Sequence, residues 1–382
     1  MRMTALLPVS VLFLSLAGCA DHVSIAGDFE LQPYELPKGY RHMTALIDEE
    51  RKELVLFGGL GNGGPMPPTA MNHHIFTLDL RKPAAQRAWV MKPADTIVQA
   101  PWFTSTRGFV EVGNKTYLTC SDTDANEIYE FDKKSREFRW LSTSNLPPEV
   151  NAGDCCAVGV KVEGRGRGKK DDVRIYVLGG RNDVVSPVPY ARYYSVTYDK
   201  WVKVANLNVG RSHLGCAPVE TRRGPAIYAV GGGNSTAGTT LRSVEVYDVE
   251  RDTWTLYGEM LPEGRSRLAV QNLDDEFLML IGGDAACAGG GAGNLCTGDR
   301  PLANVDLIDM KRNNRFISGT DHWIPQLLTP RQTPATALRK KKHGDEWELH
   351  VIGGRTPAGA QLDVTTSSEV LSFDLRRAWL RF

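Results

Sequence analysis

The chain has 382 residues, with 45 basic and 45 acidic side chains, so its formal net charge is zero. A balanced charge gives no global field that favours nucleic acid or an anionic membrane surface, and we expect no nucleic-acid partner. The 38 glycines and 21 prolines indicate a turn-rich β protein, and no long stretch shows helical periodicity.

Residues 1–20 have the pattern of an export signal. Arg2 supplies a positive start, and the apolar stretch 4–16 is too short to span a bilayer well. The stretch ends in Leu-Ala-Gly before Cys19, which resembles the bacterial lipobox. On that interpretation Cys19 is acylated and anchors the protein in the cell envelope, because more than one acyl chain holds a protein stably. The alternative is ordinary cleavage after Ala20, which would give a soluble secreted protein.

A short β-rich run that ends in two glycines recurs along the rest of the chain. The interval is 52 residues from Gly179 to Gly231 and 51 from Gly231 to Gly282, and longer loops account for the longer intervals elsewhere. A sixth copy, residues 116–121, ends in Cys120-Ser121 instead. The glycine pairs are Gly58-Gly59, Gly179-Gly180, Gly231-Gly232, Gly282-Gly283 and Gly353-Gly354. Such regular recurrence predicts a protein built from repeated units.

Two further features follow each run, and another predicted strand precedes it, so the sequence predicts six units of four strands. The first feature is an apolar residue followed by an aspartate that can accept backbone N–H groups in a turn. These aspartates are Asp79, Asp132, Asp199, Asp248, Asp309 and Asp374. The second is an aromatic residue on the next strand: Trp89, Trp140, Trp201, Trp254, Phe316 and Trp379.

This combination resembles the kelch-repeat family, and the resemblance covers roughly residues 38–382. It implies an all-β fold, a six-bladed β-propeller of four-stranded antiparallel blades around a central channel. Residues 21–37 form a short segment before the repeats. Within it, residues 29–36 have the character of an outer strand that could pair with the last blade. Closing the ring in this way would remove open sheet edges, which invite aggregation.

Arginines recur at the start of the first strand in five of the six units, at the predicted channel mouth. They are Arg41, Arg107, Arg211, Arg265 and Arg331, and His42, His213 and Arg267 lie beside them. In kelch proteins that this chain resembles, arginines at this place bind carboxylates of acidic partners. The guanidinium fork suits carboxylate, sulfate or phosphate, so we predict a site for a protein, an anionic carbohydrate or a small anion. The alternative is that each arginine bonds a neighbouring blade and holds the ring together.

The cysteines other than Cys19 form an even set that could pair in an oxidising compartment. Cys287 and Cys296 flank a glycine-rich stretch, and we predict a local disulfide between them. The pairing of the other four stays open. It is either a disulfide among Cys120, Cys155 and Cys156, or a bond from Cys156 to Cys216, since these two hold equivalent positions in adjacent inner strands.

The predicted function is that of an exported binding or scaffold protein, which uses the channel mouth and its loops to hold a partner or an anionic ligand. The oligomeric state stays open, and we expect no cofactor and no metal. The alternative is a secreted enzyme or accessory protein that acts on a sugar or a small metabolite. It would be similar to a mutarotase or an oxidase, or part of a secondary-metabolite pathway. The Tyr, His and Cys set of galactose oxidases cannot be placed on the chain, and no residue is singled out as catalytic.

Overall fold

Most of the repeated part of the chain is described by the computed structural model. The described residues are 22–59, 61, 74–92, 108–112, 115–120, 128–135, 137–141, 153–164, 170–181, 187–234, 239–285, 300–320, 324–341, 346–358 and 361–378. The predicted export signal lies outside these ranges, as do Arg107, Cys287, Cys296 and Trp379. The described part forms 31 β-strands and one 3₁₀ turn, Ala84–Gln86, and contains no helix long and apolar enough to cross a bilayer.

The first strands are two short ones and a four-stranded sheet. β1 is His22–Ala26 and β2 is Phe29–Leu31. Sheet 1 is antiparallel, in the order β3, β4, β5, β6. Its strands are Thr44–Asp48 (β3), Glu53–Phe57 (β4), Ile75–Asp79 (β5) and Val90–Lys92 (β6).

Sheet 2 has eight strands in the order β10-β9-β8-β7-β11-β12-β13-β14. Its first half contains Gly108–Val112 (β7), Lys115–Thr119 (β8), Ile128–Asp132 (β9) and Glu137–Leu141 (β10). Its second half contains Cys156–Val162 (β11), Asp172–Leu178 (β12), Ala191–Ser195 (β13) and Lys200–Lys203 (β14).

The remaining sheets each carry a small two-stranded hairpin. Sheet 3 contains Gly215–Thr221 (β15), Gly224–Val230 (β16), Val244–Asp248 (β19) and Thr253–Tyr257 (β20), with the hairpin Gly233–Asn234 (β17) and Thr239–Thr240 (β18). Sheet 4 contains Ala269–Leu273 (β21), Phe277–Ile281 (β22), Val305–Asp309 (β25) and Arg315–Ile317 (β26), with the hairpin Asp284–Ala285 (β23) and Arg300–Pro301 (β24). Sheet 5 contains Ala335–Lys340 (β27), Glu346–Ile352 (β28) and Ser368–Ala378 (β31), joined by β1 and β2, with the hairpin Arg355–Ala358 (β29) and Gln361–Val364 (β30).

The prediction of six separate blades is wrong, because the described strands form five large sheets. The innermost strands of the two halves of sheet 2, β7 and β11, pair in parallel at Gly108 and Ala157. A glycine at this point lets the two backbones approach closely, so two four-stranded stretches become one sheet. The all-β, antiparallel propeller architecture is confirmed. The inner strands follow one another around an axis in the order β3, β27, β21, β15, β11 and β7.

The core lies between neighbouring sheets. The strands before four of the glycine pairs, β4, β12, β16 and β22, end in runs that are apolar on both faces, as expected for strands that are covered on both sides. All five residues of β22 are buried, whereas β28 buries Glu348 and His350 on one of its faces. One apolar cluster joins Phe277 and Leu307 of sheet 4 to Leu349 and Phe373 of sheet 5. Packing between sheets therefore fixes where each inner strand ends at the channel mouth.

The two ends of the described chain meet in sheet 5. β1 pairs with the C-terminal part of β31, from His22 opposite Ala378, and β2 pairs with its middle, from Phe29 opposite Leu371. The side chains of Val23 and Phe29 are buried in the same cluster as those of sheets 4 and 5. N-terminal strands thus supply the outer edge of a sheet whose inner strands come from the C-terminus.

In two of the units, an aspartate side chain accepts backbone N–H groups in the turn between the third and fourth strands. Oδ1 of Asp132 accepts the N–H groups of Lys134 and Ser135 at 2.7 and 3.0 Å. Oδ1 of Asp248 accepts those of Glu250 and Arg251 at 3.1 and 3.0 Å. The predicted turn role of the aspartates is therefore confirmed at these two turns.

The assignment of Asp199 to this role is wrong by four residues. Tyr194 pairs with Trp201 as Tyr247 pairs with Trp254, which places Ser195 where sheet 3 has its turn aspartate. Ser195 Oγ accepts the N–H of Tyr198 at 3.2 Å. Asp199 instead accepts the hydroxyl of Tyr194.

Candidate binding site at the channel mouth

The glycine pairs dock each unit of strands onto the next. Gly231, the first of its pair, has φ +58°, and a Cβ there would lie 2.2 Å from the carbonyl oxygen of Arg265. The N–H of Gly232 donates to that same oxygen at 2.8 Å. Only glycine combines this conformation with so close an approach. The equivalent bond joins Gly180 to Arg211, Gly283 to Arg331 and Gly354 to Tyr40.

Three of the predicted mouth arginines lie below the surface, each paired with a carboxylate of its own sheet. Arg211 pairs with Glu245 through Nη2 and Oε1 at 2.6 Å, and both side chains are 0 % exposed. Its Nη1 also donates to the carbonyl oxygen of Gly231 at 2.8 Å. The other two pairs are Arg265 with Asp306 and Arg331 with Glu369. We call these three arginines and their carboxylates the buried layer.

Two carboxylates of the buried layer also hold the segment that crosses from the preceding sheet. Glu245 accepts the backbone N–H groups of Asn208 and Val209 at 2.7 and 3.0 Å. Glu369 accepts those of Leu328 and Thr329 at 2.8 and 3.0 Å. Burial lowers the pKa of Arg211 and of Arg331, while the paired carboxylate opposes that shift. These arginines therefore serve the alternative role, holding the ring together.

Arg41 is not part of the buried layer. The carbonyl of Tyr40, one residue earlier, accepts the N–H of Gly354 at 2.9 Å, so Tyr40 takes the place that Arg211 has in sheet 3. Its ring packs on Phe76, with ring centroids 6.0 Å apart. Sheet 1 thus uses an aromatic pair where sheets 3 to 5 use an ion pair, and Arg41 lies one position nearer the mouth.

Above the buried layer, a chain of backbone hydrogen bonds runs around the mouth through residues with left-handed backbone. Their φ values are 52° for Asp154, 55° for His213, 52° for Arg267, 53° for Thr333 and 58° for His42. Each N–H from His213 onward donates to the carbonyl of the residue before it in this series, at 2.9, 2.9, 2.9 and 3.4 Å. Left-handed non-glycine residues are held only where the surroundings fix them, and they concentrate at functional sites.

We call the residues at this level the collar. It comprises the five left-handed residues, Arg41 beside them, and the residues that directly follow three of the glycine pairs. The collar is Arg41, His42, Asp154, Arg181, His213, Arg267, Asp284, Thr333 and Arg355. These members bring four arginines and two histidines together with two aspartates, so the collar carries an excess of positive charge.

The collar's aspartates are buried and bonded to its cations. Asp154 accepts from Nε2 of His213 at 3.1 Å and from Nε of Arg181. Asp284 accepts from Nη1 of Arg267 at 2.7 Å. The Arg181 side chain is nevertheless 53 % exposed, against 3 % for Asp154. Arg181 therefore faces solvent with its aspartate behind it, whereas the side chains of Arg267 and His213 are only 12 % and 13 % exposed.

A cavity of about 160 Å³ lies directly beneath the collar, on the axis of the ring. His42, Arg267 and Thr333 of the collar line it, together with polar side chains of the inner strands such as Gln271 and Thr336. Because collar residues form its wall, the cavity continues the mouth inwards. It offers a protruding group of a ligand a polar recess.

Two disulfides settle the pairing that the sequence left open. Adjacent residues Cys155 and Cys156 bond in opposite directions, to Cys120 and to Cys216. Cys120 has φ +66° and, by strand register, the place that Gly231 has in sheet 3. The unit without a glycine pair is thus linked to the next covalently. The two disulfides therefore link the first half of sheet 2 to the second half, and the second half to β15 of sheet 3.

The site contains one arrangement that suggests nucleophilic chemistry. His213 lies between Asp154, 3.1 Å from Nε2, and Ser212, whose Oγ is 3.4 Å from Nδ1. Ser212 is only 3 % exposed, so its hydroxyl is not presented to a substrate. Among the described residues there is also no group of three or more His, Cys, Asp or Glu side chains that could hold a metal ion.

The sequence grouped residues that the structure separates. Arg41 and His213 lie in the collar, whereas Arg211, Arg265 and Arg331 lie in the buried layer, and Arg107 lies outside the described residues. Asp154, Arg181, Asp284, Thr333 and Arg355 were missed as site residues. Their positions in the repeat could have identified them. Each directly follows a glycine pair, or lies two residues after the position that Arg211 has in its unit.

Comparison with protein-family models matches residues 224–261 to the Kelch motif. Kelch-like protein 26 of Danio rerio is 37% identical over 84 residues, 21% of this chain and 13% of its own length. Kelch-like protein 34 of Homo sapiens is 29% identical over 168 residues, 41% of this chain and 23% of its own length. F-box/kelch-repeat protein OR23 of Arabidopsis thaliana is 30% identical over 162 residues, 38% of this chain and 34% of its own length. The chain thus spans about a third or less of the length of these relatives.

Proposed function

The chain is a kelch-repeat protein, and on that premise we propose that it is a binding protein whose collar holds an acidic segment of a partner protein. The observation that carries the proposal is the charge of the collar. The collar contains four arginines against two buried aspartates, and one of these arginines, Arg267, lines the cavity beneath it.

An acidic segment suits this surface for two reasons. Guanidinium groups donate paired hydrogen bonds to a carboxylate, which gives both strength and orientation. The collar is also fixed in advance by its backbone hydrogen bonds, so little ordering is lost when a ligand binds. A carboxylate of the partner would enter the recess beneath the collar.

Binding of a short oligoglutamate peptide, followed by fluorescence anisotropy, tests the proposal. The collar variant Arg41→Gln/Arg355→Gln removes two positive charges at the mouth. We expect its affinity to fall more than tenfold, because a hydrogen bond to a charged group contributes about 1.5–3 kcal/mol. The matched control is Arg81→Gln, a 66 % exposed arginine in the turn after β5, on the opposite face.

The control should bind the glutamate peptide as the wild type does, and an oligoglutamine peptide should bind neither protein. Equal binding by the collar variant and the control would place the peptide elsewhere and refute the proposal. A failure of the wild type to bind the glutamate peptide at low ionic strength would refute it too, since screening is weakest there.

We also propose that the protein is exported, with Cys19 as the acylated residue. The two disulfides support export, because structural disulfides persist in oxidising compartments. The intact mass of the mature protein tests the proposal. A diacylated or triacylated Cys19 at the N-terminus is the expected result, and a free Asp21 would exclude the lipoprotein.

A further inference from the structure

The disulfide between Cys156 and Cys216 lies in the wall of the cavity beneath the collar, since both cysteines line it. Cys216 is partly exposed, and Cys156 is 5 % exposed. The other disulfide is enclosed, because Cys120 and Cys155 are both 0 % exposed. The rate of thiol–disulfide exchange depends on which sulfur a thiol can reach. Of these four cysteines, Cys216 is therefore the one most open to attack.

The cavity limits the size of the attacking thiol. Its volume of about 160 Å³ is close to that of a protein cavity that holds one benzene molecule, about 150 Å³. A thiol of roughly the size of benzene or smaller can therefore enter, whereas a cysteine on a folded protein cannot. Once one such thiol is attached to the wall, little room is left for a second.

The charge of the cavity favours an anion. Arg267 and His42 are among the described residues that line it, and none of these residues is acidic. Asp284, which accepts a hydrogen bond from Arg267 at 2.7 Å, is 3 % exposed and is not one of the lining residues. A nearby cation stabilises a thiolate, which is the form that attacks a disulfide and the form that leaves it. A small thiol that also carries a carboxylate fits both the size and the charge.

We propose that Cys216 is a modification site for a small acidic thiol, which enters through the mouth and opens the disulfide from within the cavity. The incoming thiolate sulfur forms a bond to Sγ of Cys216. The bond from that atom to Sγ of Cys156 breaks, and its electron pair leaves with Cys156 as a thiolate. One disulfide is exchanged for another, so no separate oxidant or reductant is needed.

The product is a mixed disulfide, and the geometry stops the reaction at that stage. Because the adduct fills the cavity, a second thiol cannot follow it to Cys216. Only the Cys156 thiolate, on the neighbouring inner strand, is placed to displace the adduct and restore the original bond. The step needs no partner protein and is independent of what the collar holds.

Incubation of the folded, oxidised protein with mercaptoacetate tests the proposal, followed by alkylation with N-ethylmaleimide and peptide mass mapping. We expect mercaptoacetate on Cys216, maleimide on Cys156, and an intact bond between Cys120 and Cys155. An adduct on Cys156 instead, or equal opening of the two disulfides, would overturn the proposal. So would the absence of an adduct on the folded protein under conditions in which the urea-unfolded protein reacts.

Cysteamine tests the charge of the site, because it is similar in size to mercaptoacetate and carries an ammonium group in place of the carboxylate. At equal thiolate concentration, we expect cysteamine to open the bond about tenfold more slowly, since Arg267 attracts only the anion. Equal rates for the two thiols in the wild type would overturn the assignment of an acidic thiol.

Two variants of Arg267 separate charge from folding. Arg267→Gln should remove most of the preference for mercaptoacetate, and Arg267→Lys should keep it, since lysine retains the charge. The matched control Arg81→Gln, on the opposite face, should leave the ratio of the two rates unchanged. A collar that is merely loosened would admit both thiols faster and leave their ratio the same. A preference that survives in Arg267→Gln would overturn the role assigned to this cation.

Discussion

The collar and the buried layer use the same side chain for different purposes, only one residue position or two apart along the chain. Arg211 and Arg331 have no exposed side-chain surface, and their guanidinium groups donate hydrogen bonds to a carboxylate and to backbone carbonyls of the ring. Arg181 is bonded to an aspartate and still half exposed. Burial and partners, rather than the recurrence of arginine, therefore decide which cations of a propeller mouth are available to a ligand.

The buried layer itself is not uniform around the ring. Sheets 3 to 5 join their units with glycine pairs and ion pairs, while sheet 2 has disulfides at Cys155 and Cys156. Sheet 1 has Tyr40 on Phe76 at the same place. An ion pair, an aromatic pair and a disulfide are thus alternative ways to fix the inner end of a unit.

The largest effect on stability is expected from breaking an ion pair of the buried layer. Arg331→Met leaves Glu369 charged and buried, which should lower the free energy of unfolding by about 3–5 kcal/mol. Urea denaturation measures it. The double variant Arg331→Met/Glu369→Leu should recover part of the loss, because no unpaired charge is left. A single variant that costs less than about 1 kcal/mol would mean that the pair is not structural.

Removing the disulfide between neighbouring inner strands should have the next largest effect. Cys156→Ala/Cys216→Ala should lower the free energy of unfolding by roughly 2–4 kcal/mol, because the bond closes a long loop in the unfolded chain. The same pair of substitutions in a reduced sample should cost much less. If the oxidised and reduced samples respond alike, the bond does not stabilise the ring.

A smaller loss is expected from a side chain at a glycine pair. Gly231→Ala forces a left-handed alanine against the carbonyl oxygen of Arg265, and the backbone conformation alone should cost roughly 1–3 kcal/mol. The control is Gly258→Ala, where an added Cβ meets nothing within 4 Å. Thermal unfolding should separate the two, and equal midpoints would contradict the docking role of the pair.

The repeated pattern predicted much of the fold, since paired glycines and turn aspartates are local requirements that a sequence shows directly. The merging of two predicted blades into sheet 2 depends on one parallel backbone pairing, between Gly108 and Ala157. No local sequence pattern predicts such a pairing. The misplaced turn aspartate has a similar cause. Ser195 accepts the turn N–H in the place of Asp248. Asp199 lies four residues later and follows Tyr198, so in the sequence it matches the pattern of an apolar residue followed by an aspartate.

The candidate site was harder to predict because two adjacent positions both carry arginine. Arg41 and Arg211 look equivalent in the sequence, yet a shift of one residue places the first in the collar and the second below it. The cysteines at the exceptional junction pointed to the correct neighbourhood. Their partners could not be chosen from the sequence, because Cys155 and Cys156 face opposite neighbours.

The separation of the collar from the buried layer is tested most directly by the oligoglutamate affinity of the Arg211→Lys variant. Lysine keeps the charge but cannot form the paired bonds, so the variant should unfold more readily. Its affinity, measured where it is fully folded, should equal that of the wild type, while Arg41→Gln/Arg355→Gln loses affinity and keeps its stability. A folded Arg211→Lys protein that binds as weakly as the collar variant would show that Arg211 contributes to binding and that the two layers are not functionally separate.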